Sequence, residues 1–172
     1  ICSGLVGSEM CIRDSISKVH KMTEAACEGL NGVSSSEVEM NSGLQFSDGM
    51  TTNEIQEILI KSANDLISLE APNYQYVAAR LLLFSLQKHV FGKFVNPDAH
   101  APLRFVVASN VERGVYDKSI LDKYTDDEWN KLDSYIKHDR DLDFTYAGLR
   151  QIVDKYLVQD RSSGKIYETP QY

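Results

Sequence analysis

Cysteine is scarce: three in 172 residues, two of them (Cys2 and Cys11) within the first fifteen. The remaining one, Cys27, supports neither a disulfide framework nor a cysteine-based zinc site, and points to a reducing cytoplasm. The four histidines, His20, His89, His100 and His138, show no i,i+4 pairing and no cysteine neighbours, so a zinc centre is not expected. Long apolar runs are also missing. Ala78-Ala79 meets Arg80 before Leu81-Leu82-Leu83-Phe84 resumes, and nothing approaches the ~18 residues of a membrane span. Basic charge is in deficit, with 18 Lys and Arg against 25 Asp and Glu, a net charge of −7 and a pI near 5.1. That balance argues against nucleic acid or an anionic membrane as main partner, while leaving small nucleotides open. Neither G-x-x-x-x-G-K-[ST] nor G-x-G-x-x-G occurs, so the two common phosphate cradles are excluded. What is present, 42% hydrophobic and 25% charged residues, is the composition of a globular chain of one domain or two small ones.

The segment Gly7-Ser8-Glu9-Met10-Cys11-Ile12-Arg13-Asp14-Ser15 lacks a basic n-region and a continuous apolar core, so it is no signal peptide. It resembles a translated sequencing-adapter peptide, and residues 1–15 are read as a non-native leader that displaces the native N-terminus. Helical periodicity sets in at Ile16, with Val19, Met22, Ala26 and Leu30 three to four residues apart, and Gly29 and Gly32 closing the helix. Ser34 with Glu37, Thr51 with Glu54 and Thr125 with Glu128 each fit a capping box. The first leads a helix carrying Val38 towards Leu44 and Phe46, with a turn at Asp48-Gly49. The second leads Ile55, Ile58, Leu59, Ala63, Leu66 and Ile67. Pro72 opens a further helix, Asn73 to Phe91, apolar around most of its circumference and therefore central. Residues 95–102, with Pro97 and Pro102, form a linker. Beyond it, Leu103 to Val115 is expected as a helix with Phe105, Val106 and Val111 inward, the Thr125 box leads Trp129, Leu132, Tyr135 and Ile136, and a last helix runs from Phe144 to Tyr156. Leu157-Val158-Gln159 and Lys165-Ile166-Tyr167 flank Arg161-Ser162-Ser163-Gly164 as a hairpin.

Asp139, Asp141 and Asp143 alternate like the start of a calcium loop. The sixth position is Phe144 and the twelfth Arg150, so calcium fails and a solvated acidic turn is expected. Cys27 reads as a small buried hydrophobe rather than a nucleophile. Lys88 follows Phe84 by four residues and Arg80 by eight, so the three lie along one stripe of the central helix. Spacing alone leaves two readings of Lys88, a lysine stabilising a helix C-terminus or a cation that meets a phosphate. Lys18, read as opening the first helix, sits at the unfavourable end of the dipole, a hint of an anion nearby. Thr52 offers a hydroxyl and free N–H groups at a helix N-terminus.

Ser17-Lys18-Val19-His20-Lys21, Ala25-Ala26-Cys27-Glu28-Gly29-Leu30, Gln45-Phe46-x-Asp48-Gly49 and Thr52 resemble the ATP-cone domain. Ala71-Pro72-Asn73-Tyr74-Gln75-Tyr76-Val77-Ala78-Ala79-Arg80-Leu81 narrows the likeness to the cone of bacterial class Ia ribonucleotide reductase large subunits. The likeness continues through Gly114-Val115-Tyr116-Asp117, Tyr124-Thr125, His138-Asp139-Arg140-Asp141 and Lys155-Tyr156-Leu157-Val158-Gln159-Asp160-Arg161, ending in Gly164 and Ile166-Tyr167-Glu168. The resemblance implies a mainly α fold: residues 16–94 as a truncated cone, a four-helix bundle, then residues 103–172 as the helical region before a catalytic barrel. It implies an allosteric site for ATP or dATP, with Mg accompanying the triphosphate, contacted by Ile16, Ser17, Lys18, Thr52 and Lys88. It further implies a parent enzyme reducing ribonucleoside diphosphates, with a homodimer of large subunits and a radical-generating small subunit as partners. No catalytic residue of that family falls on this chain, so the fragment is expected to be inactive alone. Two departures stand out. The family's opening β-hairpin with its Val-x-Lys-Arg-Asp-Gly motif is replaced by the leader, and Gln56 stands where related enzymes often carry histidine. The rival readings are an ATP-cone transcriptional repressor, which would need a cysteine-rich zinc ribbon and a basic surface, and a ligand-free helical interaction module.

Overall fold

A computed structural model describes residues 5–43, 45–47, 49–92 and 100–172, and of residues 5–15 the backbone only. Helices α1 (Leu5–Cys27), α2 (Ser35–Gly43), α3 (Thr52–Asp65) and α4 (Tyr74–Phe91) are followed by α5 (Leu103–Glu112), α6 (Ser119–Asp122) and α7 (Asp126–Tyr135). A 3-10 segment, His138–Asp143, precedes α8 (Tyr146–Lys155) and two short strands, β1 (Gln159–Asp160) and β2 (Lys165–Ile166). The chain divides into two compact units, Ile1–Leu82 and Leu83–Tyr172. The expected mainly α fold with a terminal hairpin is what is found. Most of the predicted linker, residues 95–99, lies outside the described residues, as do the expected helix position Leu44, the turn residue Asp48 and the first four residues of the leader.

In the first unit α1 packs on α2 and α2 on α3. The apolar stripe of α3 places Leu59, Ile60 and Ala63 in the core, and α4 adds Tyr74, Val77, Ala78, Ala79, Leu81 and Leu82. That burial on consecutive positions is what a helix apolar all round its circumference must show. Polar ties fix the neighbours. Asn41 donates to the Ser62 carbonyl at 3.1 Å and Gln45 to the Ser62 hydroxyl at 3.3 Å, joining α2 to α3. Arg80 on α4 donates to the carbonyls of Ala26 (3.3 Å) and Glu28 (2.6 Å), satisfying acceptors that the end of α1 leaves open. Gly29 and Gly32, at φ of 72° and 71°, make the reversal that brings α2 back.

Two of the three expected capping boxes form as drawn. Thr51 donates its N–H to Glu54 at 2.7 Å and its hydroxyl accepts from the Glu54 N–H at 3.3 Å, and Thr125 and Glu128 repeat the pattern at 2.9 and 3.4 Å. The third is built differently. The Tyr74 hydroxyl stands inside it, accepting from the Ser34 N–H at 3.0 Å and donating to the Glu37 carboxylate. The box between Ser34 and Glu37 is thus opened by one oxygen and bolted to α4. Burial, followed by the bond to Glu37, pushes the Tyr74 phenol up to about 12.

In the second unit α5 packs against α6 and α7, with Val106, Val107, Trp129, Leu149, Val153 and Leu157 buried. Phe105, expected inward, is 66% exposed. Val106, Val107 and the fully enclosed Asn110 define the buried face of α5, and Phe105 falls outside that arc. Leu132 and Tyr135 of α7 are likewise exposed, leaving Trp129 as the inward residue of that helix. The acidic turn is a 3-10 segment, and Asp141 within it is buried rather than solvated, accepting from the Gln171 amide at 3.0 Å. Burial pushes its carboxyl up to about 6. The hairpin has the expected position, with Gln159 opposite Ile166 and Asp160 opposite Lys165, and Gly164 at φ 72° in the turn.

Candidate functional site

Ile16, Ser17 and Lys18 occupy one turn of α1, and all three are exposed, Ile16 by 62%. They do not open that helix. It begins at Leu5, eleven residues before the onset of the sequence pattern, so Lys18 lies more than three turns inside it. The macrodipole falls off within the first turn, so Lys18 does not stand at the unfavourable helix end that the sequence suggests. Lys18 is available as an exposed cation, without that additional reason to be one.

Thr52 is the first residue of α3, exposed, directly after the capping residue Thr51. Among the described residues the N–H groups of Thr52 and Asn53 find no acceptor, as a phosphate-accepting helix end requires. The same end already carries an anion, however. Glu54 is held there by Thr51, whose backbone and side-chain hydrogen bonds keep its carboxyl below the usual range. An incoming phosphate would share the helix end with that carboxylate.

Lys88 lies in the last turn of α4 beside His89 and is half-buried, and its carbonyl accepts from the Gly92 N–H at 2.9 Å. Lys18 and Thr52 belong to the first unit and Lys88 to the second. Among the described residues none of the five expected contact side chains makes a hydrogen bond or an ion pair with another. Arg80, on the same stripe as Lys88, is engaged with the end of α1.

Periodicity did not disclose an open groove of about 620 Å³ at the corner between α1 and α2, lined by Lys21, Glu24, Cys27, Glu28, Ser34 and Ser35 among others. None of the expected nucleotide contacts lines it. The half-buried Cys27 thiol is pushed up to about 11 by burial, against the opposing pull of Arg80, which suits the reading of an inert residue. Beside the groove His20 stands between Glu24 at 3.2 Å and Glu39 at 3.0 Å, and Thr23 also donates to Glu39. The bond to Glu39, with the charge of Glu24, raises the His20 pKa. Its i,i+4 relation to Glu24 was legible in the sequence; its bond to Glu39 depends on how α2 folds back.

Among the described residues no group of three or more His, Cys, Asp or Glu side chains is placed to hold a metal, and no helix is long and apolar enough to cross a membrane.

Residues 11–89 match the ATP cone domain family. Over 160 residues, 93% of the chain, the sequence is 48% identical to the ribonucleoside-diphosphate reductase 1 subunit alpha of Salmonella typhimurium and 46% identical to that of Escherichia coli. It is 44% identical over 158 residues to the ribonucleoside-diphosphate reductase subunit alpha of Haemophilus influenzae. The chain spans about a fifth of the length of these relatives, 20% in each case, and is similar to their N-terminal region.

Proposed function

We propose, on the premise that residues 11–89 belong to the ATP cone domain family, that this chain is the effector-sensing part of a ribonucleotide reductase large subunit and takes ATP or dATP. The similarity to reductase alpha subunits across 93% of the chain is the observation that carries this reading. The parent would reduce ribonucleoside diphosphates, working as a homodimer of large subunits with a small subunit that supplies the radical. Ile16, Ser17 and Lys18 on α1, Thr52 at the head of α3 and Lys88 near the end of α4 would hold the nucleotide. Lys18 is an exposed ammonium, Thr52 and Asn53 present unengaged N–H groups, and Lys88 makes no ion pair among the described residues. A Mg ion would bind through triphosphate oxygens and water, as that ion commonly does, since the chain offers no carboxylate cage among the described residues.

Exposed contacts of this kind contribute about 0.3–1 kcal/mol each. Three of them contribute at most about 3 kcal/mol together and support an affinity no tighter than ~1 mM, about 4 kcal/mol short of ~1 µM. Displacement of a fluorescent ATP analogue tests the assignment. Lys18→Ala, Thr52→Val and Lys88→Ala should each weaken binding by about two- to fivefold, and equal affinity in all four proteins would remove these residues from the site. A second reading, a helical interaction module without a ligand, draws on one observation, the Glu54 carboxylate seated at the helix end where a phosphate would go. The net charge of −7 and the lack of paired cysteines speak against a DNA-binding repressor.

A further inference from the structure

His100 and His138, 38 positions apart in the second unit, stack face to face with ring centroids 3.5 Å apart and an interplanar angle of 13°. Three of their four ring nitrogens, both of His100 and Nδ1 of His138, are enclosed and have no hydrogen-bond partner among the described residues. Aromatic neighbours close the stack. Phe91 meets His100 edge-on at 6.0 Å, and Tyr172 leans on His138 at 4.9 Å while its hydroxyl donates to the Ala101 carbonyl at 2.6 Å. Buried polar nitrogens are almost always paired, so this arrangement is tolerated only while both rings are neutral. A proton on His100 would add an N–H with no acceptor, and protons on both rings would set two cations at van der Waals distance.

We propose that the His100–His138 stack is an acid-sensitive clasp, which holds residues 100–102, at the head of α5, against the 3-10 segment at neutral pH and releases them when the imidazoles take up protons. The charged groups around it do not cancel this response. Asp133 and Asp139 attract a proton to His138, yet burial outweighs them and its pKa is lowered. Asp133 also accepts from the Leu103 N–H at 2.7 Å, which engages that carboxylate elsewhere. For His100, burial and the neighbouring His138 lower the value to about 4. His89, nearer the hairpin, is bonded to the Ile166 N–H at 3.4 Å. Asp141, held by Gln171, runs the other way: its raised pKa means that the folded state gains a proton there, and stability, as pH falls through about 6. The clasp therefore has to be measured against a partner protein that keeps Asp141.

The full chain is compared with the double variant His100→Phe/His138→Phe by urea unfolding between pH 7 and pH 5, followed by Trp129 fluorescence. A group that stays neutral in the fold while its unfolded counterpart takes up a proton erodes stability as pH falls. The folded-to-unfolded ratio of the native chain relative to the double variant should fall about tenfold across that range. A constant relative ratio would overturn the proposal. If the double variant does not fold, imidazole Cε1–H proton shifts followed by NMR in the native chain decide. Midpoints for His100 and His138 below the ordinary imidazole value of about 6.5 support the clasp, and titration of these two rings at that ordinary value refutes it.

Discussion

Replacing Tyr74 by Phe removes one oxygen atom from the point where α4 meets the start of α2. Tyr74 is 2% exposed, and that oxygen serves two partners, the Ser34 N–H and the Glu37 carboxylate. Losing a hydrogen bond to a charged group costs about 1.5–3 kcal/mol, and a half-buried N–H left unpaired adds to it. Glu37 is exposed and regains water, and with the phenol oxygen gone its carboxylate can turn to the Ser34 N–H as in an ordinary capping box. The net expectation is about 1–2 kcal/mol, read as a lower urea midpoint by far-UV circular dichroism, with faster amide exchange at Ser34 and Val38. A Tyr74→Phe/Glu37→Ala cycle should return a coupling of about 1 kcal/mol. Ser34→Ala is the control, because the bond uses the backbone of Ser34 and survives loss of its side chain. Glu37→Gln should bring the phenol down from about 12, visible in the absorbance titration. A coupling indistinguishable from zero would refute the bridge.

Two further outcomes follow from the titrating groups of the first unit. His20 has a raised pKa in the fold, so its contribution is complete below pH 6.5 and lost as pH rises through its folded value. Protection factors in α2 should fall across that window in the native chain and stay level in His20→Gln; an identical pH profile in both would count against the tie between α1 and α2. Cys27, with its thiol near 11, should alkylate about a hundredfold more slowly than an ordinary thiol at pH 7.5. The reading is taken in a Cys2→Ser/Cys11→Ser background, and a normal rate there would mean that the thiol is open to solvent.

Local chemistry carried much of the fold. The Thr51 and Thr125 boxes, the all-round burial of α4 and the turn at Gly164 rest on contacts within a few residues or on a single helix's pattern, which a linear reading can weigh. The misjudged positions have non-local causes. Phe105 looked inward because it is apolar, yet Asn110, bonded through its amide to the Tyr167 carbonyl at 3.3 Å, holds a place on the buried face. Asp141 looked solvated because its neighbours are charged, until Gln171 arrived from 30 residues away. The bridge through Tyr74 spans 37 residues to Glu37, and no spacing rule reports an oxygen inserted from another helix. The onset of α1 was misplaced because the glycines and serines before Ile16 mask a helix in a propensity reading. Of the candidate site, the residue types and the helix end at Thr52 were legible. The anion already seated there was also legible, since Glu54 is the partner that the capping box requires.

The central claim is that Ile16, Ser17, Lys18, Thr52 and Lys88 meet one nucleotide. Titrating ATP, dATP and inorganic triphosphate into the isotopically labelled chain, with backbone amide shifts as the readout, tests it most directly. The amides of 16–18, 52, 53 and 88 should move on one saturation curve with a Kd of about 1 mM for both nucleotides, and Lys88→Ala should weaken every member of that set together. Shifts confined to the groove at Lys21, Cys27, Ser34 and Ser35, or equal responses in the native chain and Lys88→Ala, would contradict the claim.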